Sequence, residues 1–153
     1  MLTLVYLDLA FFFFTRSHGR TALGYIFPAG RLDVVDVLLA HGIKVQMIEK
    51  EASVKVAAYQ ITNLVPARAD YLAPEKIEVR KEEQARLAKK GDFFVSCSQP
   101  AANLIPGLLE PQSDYGLIRY FKFKLVPETG NYFDLYRLET PVSLELVDYK
   151  LWK

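Results

Sequence analysis

The stretch Gly91–Asp114, GDFFVSCSQPAANLIPGLLEPQSD, sets the frame for the rest of the chain. Gly91-Asp92 is a turn signal after the basic pair Lys89-Lys90, and Phe93-Phe94-Val95 is an apolar run short enough for a buried strand. Ser98 or Gln99 stands where a helix N-cap would stand, and Pro100 suits the first helical position. The helix expected from Ala101 to Leu109 carries Leu104, Ile105, Leu108 and Leu109 on one face. Pro106 and Gly107 weaken it and Pro111 ends it, so tertiary packing must hold it. Strand, capped turn and short bent helix together are too apolar for a linker, and the four helical residues are expected in the core.

A chain of 153 residues is long enough for one domain with a real core. Ten Phe and nine Tyr lean it toward β structure. A formal net charge of +1 gives no electrostatic case for nucleic acid or a membrane surface. Its single cysteine excludes an internal disulfide, and with only His18 and His41 beside it a His/Cys zinc site is not expected. Leu2–Phe14 is the most apolar segment, about half a membrane span and interrupted by Asp8. It lacks the basic lead and small-residue close of a signal peptide, and a buried strand or pair of strands is expected there. No membrane span is expected anywhere.

Further along, Ser17–Arg20 is a polar break, and Leu23–Phe27 is a short strand closed by Pro28-Ala29-Gly30. Leu32–Ala40 is the clearest helix, with Leu32, Val35, Leu38 and Leu39 on one face and Gly42 as its stop. His41 reads as a helix C-terminal residue rather than a catalytic one. Ile43, Val45 and Met47 alternate as a half-buried strand. In Ala52–Ile61 the apolar parity changes between Ala58 and Tyr59, which fits a bulged strand and leaves a helix open. Asn63–Pro74 reads as loop, and Ile77 and Val79 as strand. Lys81–Lys90 reads as a solvated connector with Glu82 and Arg86 at helical spacing. Phe121, Phe123 and Leu125 alternate with Lys122 and Lys124, predicting a strand. Pro127–Asn131 is then a hairpin loop, Tyr132–Leu138 the return strand, and Val142–Leu146 the last strand.

GDFFVSCSQPAANLIPGLLEPQSD, with GYIFPAGRLDVVDVLLAHGIKV upstream and, more weakly, GNYFDLYRLE downstream, resembles the C-terminal, non-catalytic region of bacterial M14-type zinc carboxypeptidase-like proteins. The resemblance spans roughly residues 23–139 and centres on a Gln-Pro helix start and a Leu-Leu-Glu-Pro close. It implies an accessory domain that packs on a peptidase domain or shapes access to it, in a family often secreted or periplasmic. The metallocarboxypeptidase centre needs His-x-x-Glu. Here His18 is followed by Gly19-Arg20-Thr21 and His41 by Gly42-Ile43-Lys44, so no catalytic, metal or cofactor residue carries over.

Cys97, between Ser96 and Ser98, reads as a buried structural thiol ahead of a nucleophile. Asp8, Asp92, Asp114 and Asp134 are scattered, and Gly-rich phosphate loops and Gly-x-Ser-x-Gly are absent. In Tyr120–Lys124 alternation separates the phenylalanines from the lysines, so a core face outweighs a base-stacking surface. The expectation is therefore an α+β fold, mainly antiparallel and sandwich-like, with two or three short helices. Residues 1–22 form an apolar strand segment and polar break, and 23–153 the domain. The expected role is non-catalytic, with no cofactor and with a peptidase domain or another protein as partner. The alternative is a free-standing peptide- or carbohydrate-binding module using exposed tyrosines such as Tyr132 and Tyr136.

Overall fold

The computed structural model describes residues 21–69 and 73–150; the expected strand over Leu2–Phe14 and the polar break after it lie outside them. In chain order the elements are β1 (Gly24–Phe27), α1 (Leu32–Ala40), β2 (Gln46–Ile48), β3 (Ala52–Val65), β4 (Lys76–Ala88), β5 (Phe93–Ser96), α2 (Leu104–Leu109), two single 3-10 turns (Leu117–Arg119 and Phe121–Phe123), β6 (Tyr136–Leu138) and β7 (Leu146–Asp148). The strands form one sheet in the order β4-β3-β6-β1-β5-β2-β7, every pair antiparallel. This is an α+β fold with a mainly antiparallel sheet.

Both faces of the sheet carry a core. On one, Tyr25 and Phe27 of β1, Tyr59 and Ile61 of β3, and Phe93 and Val95 of β5 pack against Val34, Val35 and Leu38 of α1 and Ile105 and Leu109 of α2. On the other, Ile26, Ile48, Val54, Val56, Ala58, Tyr136 and Leu138 cluster, with Val142 and Leu144 packed against them. Two-sided burial explains the parity change in β3. Val54, Val56 and Ala58 serve one core and Tyr59 and Ile61 the other, on a strand continuous across them. The register shift lies further on, between Ile61 and Asn63, and the strand continues to Val65 where a loop was expected.

Helix α1 ends where Gly42 adopts φ +75, a conformation glycine enters without steric penalty. Gly42 N–H donates to the Leu39 carbonyl and Ile43 N–H to that of Leu38, with both Leu38 and Ile43 buried, which is a Schellman close. At Gly24 the constraint is space. A Cβ there would lie 2.7 Å from the Val95 carbonyl oxygen and 2.8 Å from the Phe94 ring.

Helix α2 begins at Leu104, not Ala101, because the residues before it form i to i+3 turns. Gln99 does not cap it. The Gln99 amide donates to the Ser96 and Lys44 carbonyls, and its oxygen accepts from Lys44 N–H at 2.8 Å, clamping the segment that leads into β2 to the end of β5. Ile105 and Leu109 are fully buried, Leu108 is half-buried and Leu104 is 47% exposed. The core thus takes half of the expected face.

Four expected elements differ more. Lys81–Ala88 is not a connector but the second half of β4, paired residue by residue with β3 from Ala52. A strand with one neighbour needs few apolar residues, and ladder pairing overrides the helical spacing of Glu82 and Arg86. Phe121–Phe123 is a 3-10 turn, not a strand. Phe123 and Leu125 are buried as alternation requires, but both flanks of β6 are already occupied by β1 and β3. Consequently β6 is only Tyr136–Leu138, and Tyr132 forms a lone bridge to Gln60. The last strand is Leu146–Asp148, so of the expected Val142–Leu146 only Leu146 is strand, and Val142 and Leu144 pack on the sheet from the segment before it.

Candidate functional site

On the face that carries the helices, the segment running through β6 places Phe133, Leu135, Arg137 and Glu139 at one parity, so two charges follow two core residues. Arg137 sits opposite Tyr25 of β1 and Ala57 of β3. Above it lies Glu110, the residue that ends α2. Arg137 Nη1 donates to Glu110 Oε1 at 2.6 Å, and the Tyr25 hydroxyl donates to the same oxygen at 2.5 Å. Arg137 Nε donates to Glu139 Oε1 at 3.0 Å, and Lys81 Nζ reaches that oxygen at 2.7 Å from the rim. The side chains of Glu110, Arg137 and Glu139 are each more than nine-tenths buried, and the chain of charges ends in half-exposed Lys81.

Burial sets the electrostatics first. It raises the Tyr25 phenol well above the ordinary range, and the Glu110 charge raises it further. Tyr59 is raised for the same two reasons in the same order. For Arg137 burial opposes the charge, but Glu110 and the phenols outweigh it and hold the guanidinium protonated. Two carboxylates face two cations, so the set balances internally, and it ties the end of α2 to the middle of the sheet. Its chemistry is that of a structural tie.

The other singled-out residues stay apart. Cys97 is half-buried rather than buried, and its thiol is pushed up to about 11, by desolvation above all. That is the reverse of an activated nucleophile. His41 is the C-cap of α1, its ring Nδ1 2.8 Å from the Val37 carbonyl. Asp92 accepts Lys89 N–H in the turn before β5, while Asp134 holds Arg31 at 2.8 Å, and the exposed Asp114 lies 3.8 Å from Arg119. Among the described residues no group of three His, Cys, Asp or Glu side chains could hold a metal ion. Tyr132 and Tyr136 are not the exposed platform expected of a binding module. The Tyr132 hydroxyl donates to Glu82 at 2.6 Å, and Tyr136 is buried beneath the Arg86 guanidinium, 3.8 Å from the ring centroid.

Among the described residues the surface carries open grooves, of which two are sizeable. One, of about 320 Å³, runs between the far end of the β3–β4 hairpin and the 3-10 turns. Leu64, Pro66, Pro74, Ile118, Leu125 and Val126 give it a mostly apolar lining, with Tyr120 and Lys124 at the rim. Tyr120 is 53% exposed, and Lys124 is the one non-glycine residue with positive φ, +48, among the described residues. The second, of about 430 Å³, lies beside the α1 close and is lined by Leu39, Ile43, Lys44, Val45, Asp148 and Tyr149 among others. Neither groove is lined by Tyr25, Glu110 or Arg137.

The buried tie was not read from the sequence, although its signal was present. Arg137 and Glu139 continue the core parity of Phe133 and Leu135, and a charge at a core position requires a buried partner. The partner, Glu110, lies 27 residues away, beyond the reach of local patterning. The apolar groove gathers residues from four separate segments and had no local signal.

Fold and site together define an α+β domain with a charge-tied core and an apolar surface groove. No protein-family model, no curated protein and no solved structure matches the chain. Among the described residues no helix is long and apolar enough to cross a membrane.

Proposed function

We propose that this chain is a non-catalytic interaction domain whose groove beside Tyr120 takes an apolar segment of a partner protein. The observation that supports this most is the groove itself. Its lining is apolar and it is rimmed by an exposed tyrosine, a side chain that contributes contact area with one polar end. Lys124 adds a backbone held in a sparsely populated conformation beside one cation, and such positions cluster at binding sites. An apolar segment next to a carboxylate is the ligand chemistry that complements this lining. The more specific form, an accessory domain packing on an M14-type peptidase domain, rests on the sequence resemblance alone.

Titration with a panel of short apolar peptides, with and without a terminal carboxylate, tests the reading by NMR. Shifts confined to Leu64, Ile118, Tyr120 and Val126, weakened by Tyr120→Ala in a protein that melts like the parent, are the expected result. Absence of saturable shifts across the panel would overturn the groove reading. Mixing the chain with an M14-type peptidase domain tests the narrower form, and lack of association by sedimentation would remove it.

A further inference from the structure

The β4 edge has one strand neighbour, β3, among the described residues, and so presents a row of backbone donors and acceptors along Lys76–Ala88. Dense charge on an edge ordinarily guards against pairing with other chains. Here the order of the charges matters. When β4 is laid antiparallel to a second copy of itself with Glu82 opposite Glu82, Lys81 meets Glu83 and Glu78 meets Arg86, each twice. Ile77 then meets Leu87, Val79 meets Ala85, and Arg80 meets Gln84. Directly opposed residues share a face, so the apolar pairs lie with Lys81–Glu83 on the helix-bearing face and the Glu78–Arg86 pairs on the other. A shift of one residue places Ile77 opposite Arg86 and Lys76 opposite Leu87, and the apolar match is lost.

The structure favours this register in two further ways. Leu87, the residue that Ile77 of the second copy would cover, is 48% exposed at the end of β4. The like charges at the two-fold centre are already drawn inward. Glu82 accepts the Tyr132 hydroxyl at 2.6 Å and pairs with Arg80 at 2.8 Å. Lys81 and Glu83 also have partners on their own chain, Glu139 and Lys55, and the second copy adds to those contacts rather than replacing them.

We propose that β4 pairs edge to edge with β4 of a second copy of this chain, in the register centred on Glu82, joining two sheets across a two-fold axis. The interface is isologous, so it closes at a dimer. It is independent of the groove beside Tyr120, and its test reads neither peptide binding nor association with a peptidase.

Sedimentation equilibrium on the unaltered chain is expected to show a concentration-dependent dimer. Leu87→Lys, which places a charge opposite Ile77 twice per dimer, is expected to weaken it about tenfold. Register is read by cross-linking in a Cys97→Ser background. In that register a cysteine at 82 faces its own copy at the Cα spacing of an opposed pair, about 4.5–5.5 Å, which a disulfide spans. Glu82→Cys is therefore expected to cross-link rapidly under mild oxidation and Gln84→Cys, which faces Arg80, to lag far behind. A chain that stays monomeric at its highest soluble concentration would overturn the proposal. So would equal cross-linking at the two positions.

Discussion

At the centre of the sheet, β1 and β6 are four and three residues long and buried along their whole length, whereas β3 and β4 at one edge run for fourteen and thirteen residues with much of β4 exposed. The centre is held by burial on both faces and by one charged tie from Glu110 through Arg137 to Glu139. The edge is held by a long ladder and by surface pairs such as Lys55–Glu83, 3.0 Å apart and more than half exposed. Charge therefore has a different role in the two regions. In the centre a lost partner strands an ion in the core, while at the edge water replaces it at little cost. The centre therefore contributes more to stability than the edge.

The sharpest way to break the contrast is Arg137→Met. It leaves the Glu110 carboxylate buried beside the Tyr25 hydroxyl without its cation, and chemical denaturation is expected to show a loss of about 3–5 kcal/mol. Next is Ile105→Ala, which opens a hole beneath α2 and is expected to cost about 2–5 kcal/mol. Leu104→Ala one position earlier, at an exposed site, is expected to stay within about 0.5 kcal/mol. Tyr25→Phe removes one hydrogen bond to a charged acceptor and is expected to cost about 1.5–3 kcal/mol. At the edge, Lys55→Gln is expected to change stability by less than about 0.5 kcal/mol.

The same contrast has a pH signature. Tyr25 and Tyr59 have native-state pKa values raised above their ordinary 10.0, and Cys97 is raised from 9.0 to about 11. Between each ordinary value and its native value the folded chain binds more protons than the unfolded chain. The stability these groups contribute is thus complete below pH 9.0 and lost as pH rises, first through Cys97 and then through the phenols. Denaturation midpoints are expected to fall from pH 9 upward, and Tyr25→Phe is expected to flatten part of that fall above pH 10.

What the sequence made legible follows from the range of each signal. Helix α1 with its Gly42 stop and the strands β1 and β5 are local patterns and match the structure, but of the expected α1 face the core takes Val35 and Leu38 together with Val34, leaves Leu39 half-buried and leaves Leu32 49% exposed. The outer half of β4 was missed because its charges fit helical spacing as well as strand alternation, and pairing with β3 decides between them. Phe123 and Leu125 were read correctly as buried but wrongly as strand, since alternation specifies which side chains go inward and not whether a neighbouring strand is free. The tie and the groove both depend on residues brought together from distant segments, and single-residue patterning has no access to that.

The measurement that tests the centrepiece most directly is a double-mutant cycle between Glu110→Gln and Arg137→Met, read as unfolding free energies in denaturant. If the buried tie holds α2 to the sheet, each single change costs heavily and the pair costs less than the sum, with a coupling of about 1–3 kcal/mol. Additive losses, with a coupling within error of zero, would contradict it and place the stability of the centre in apolar packing alone.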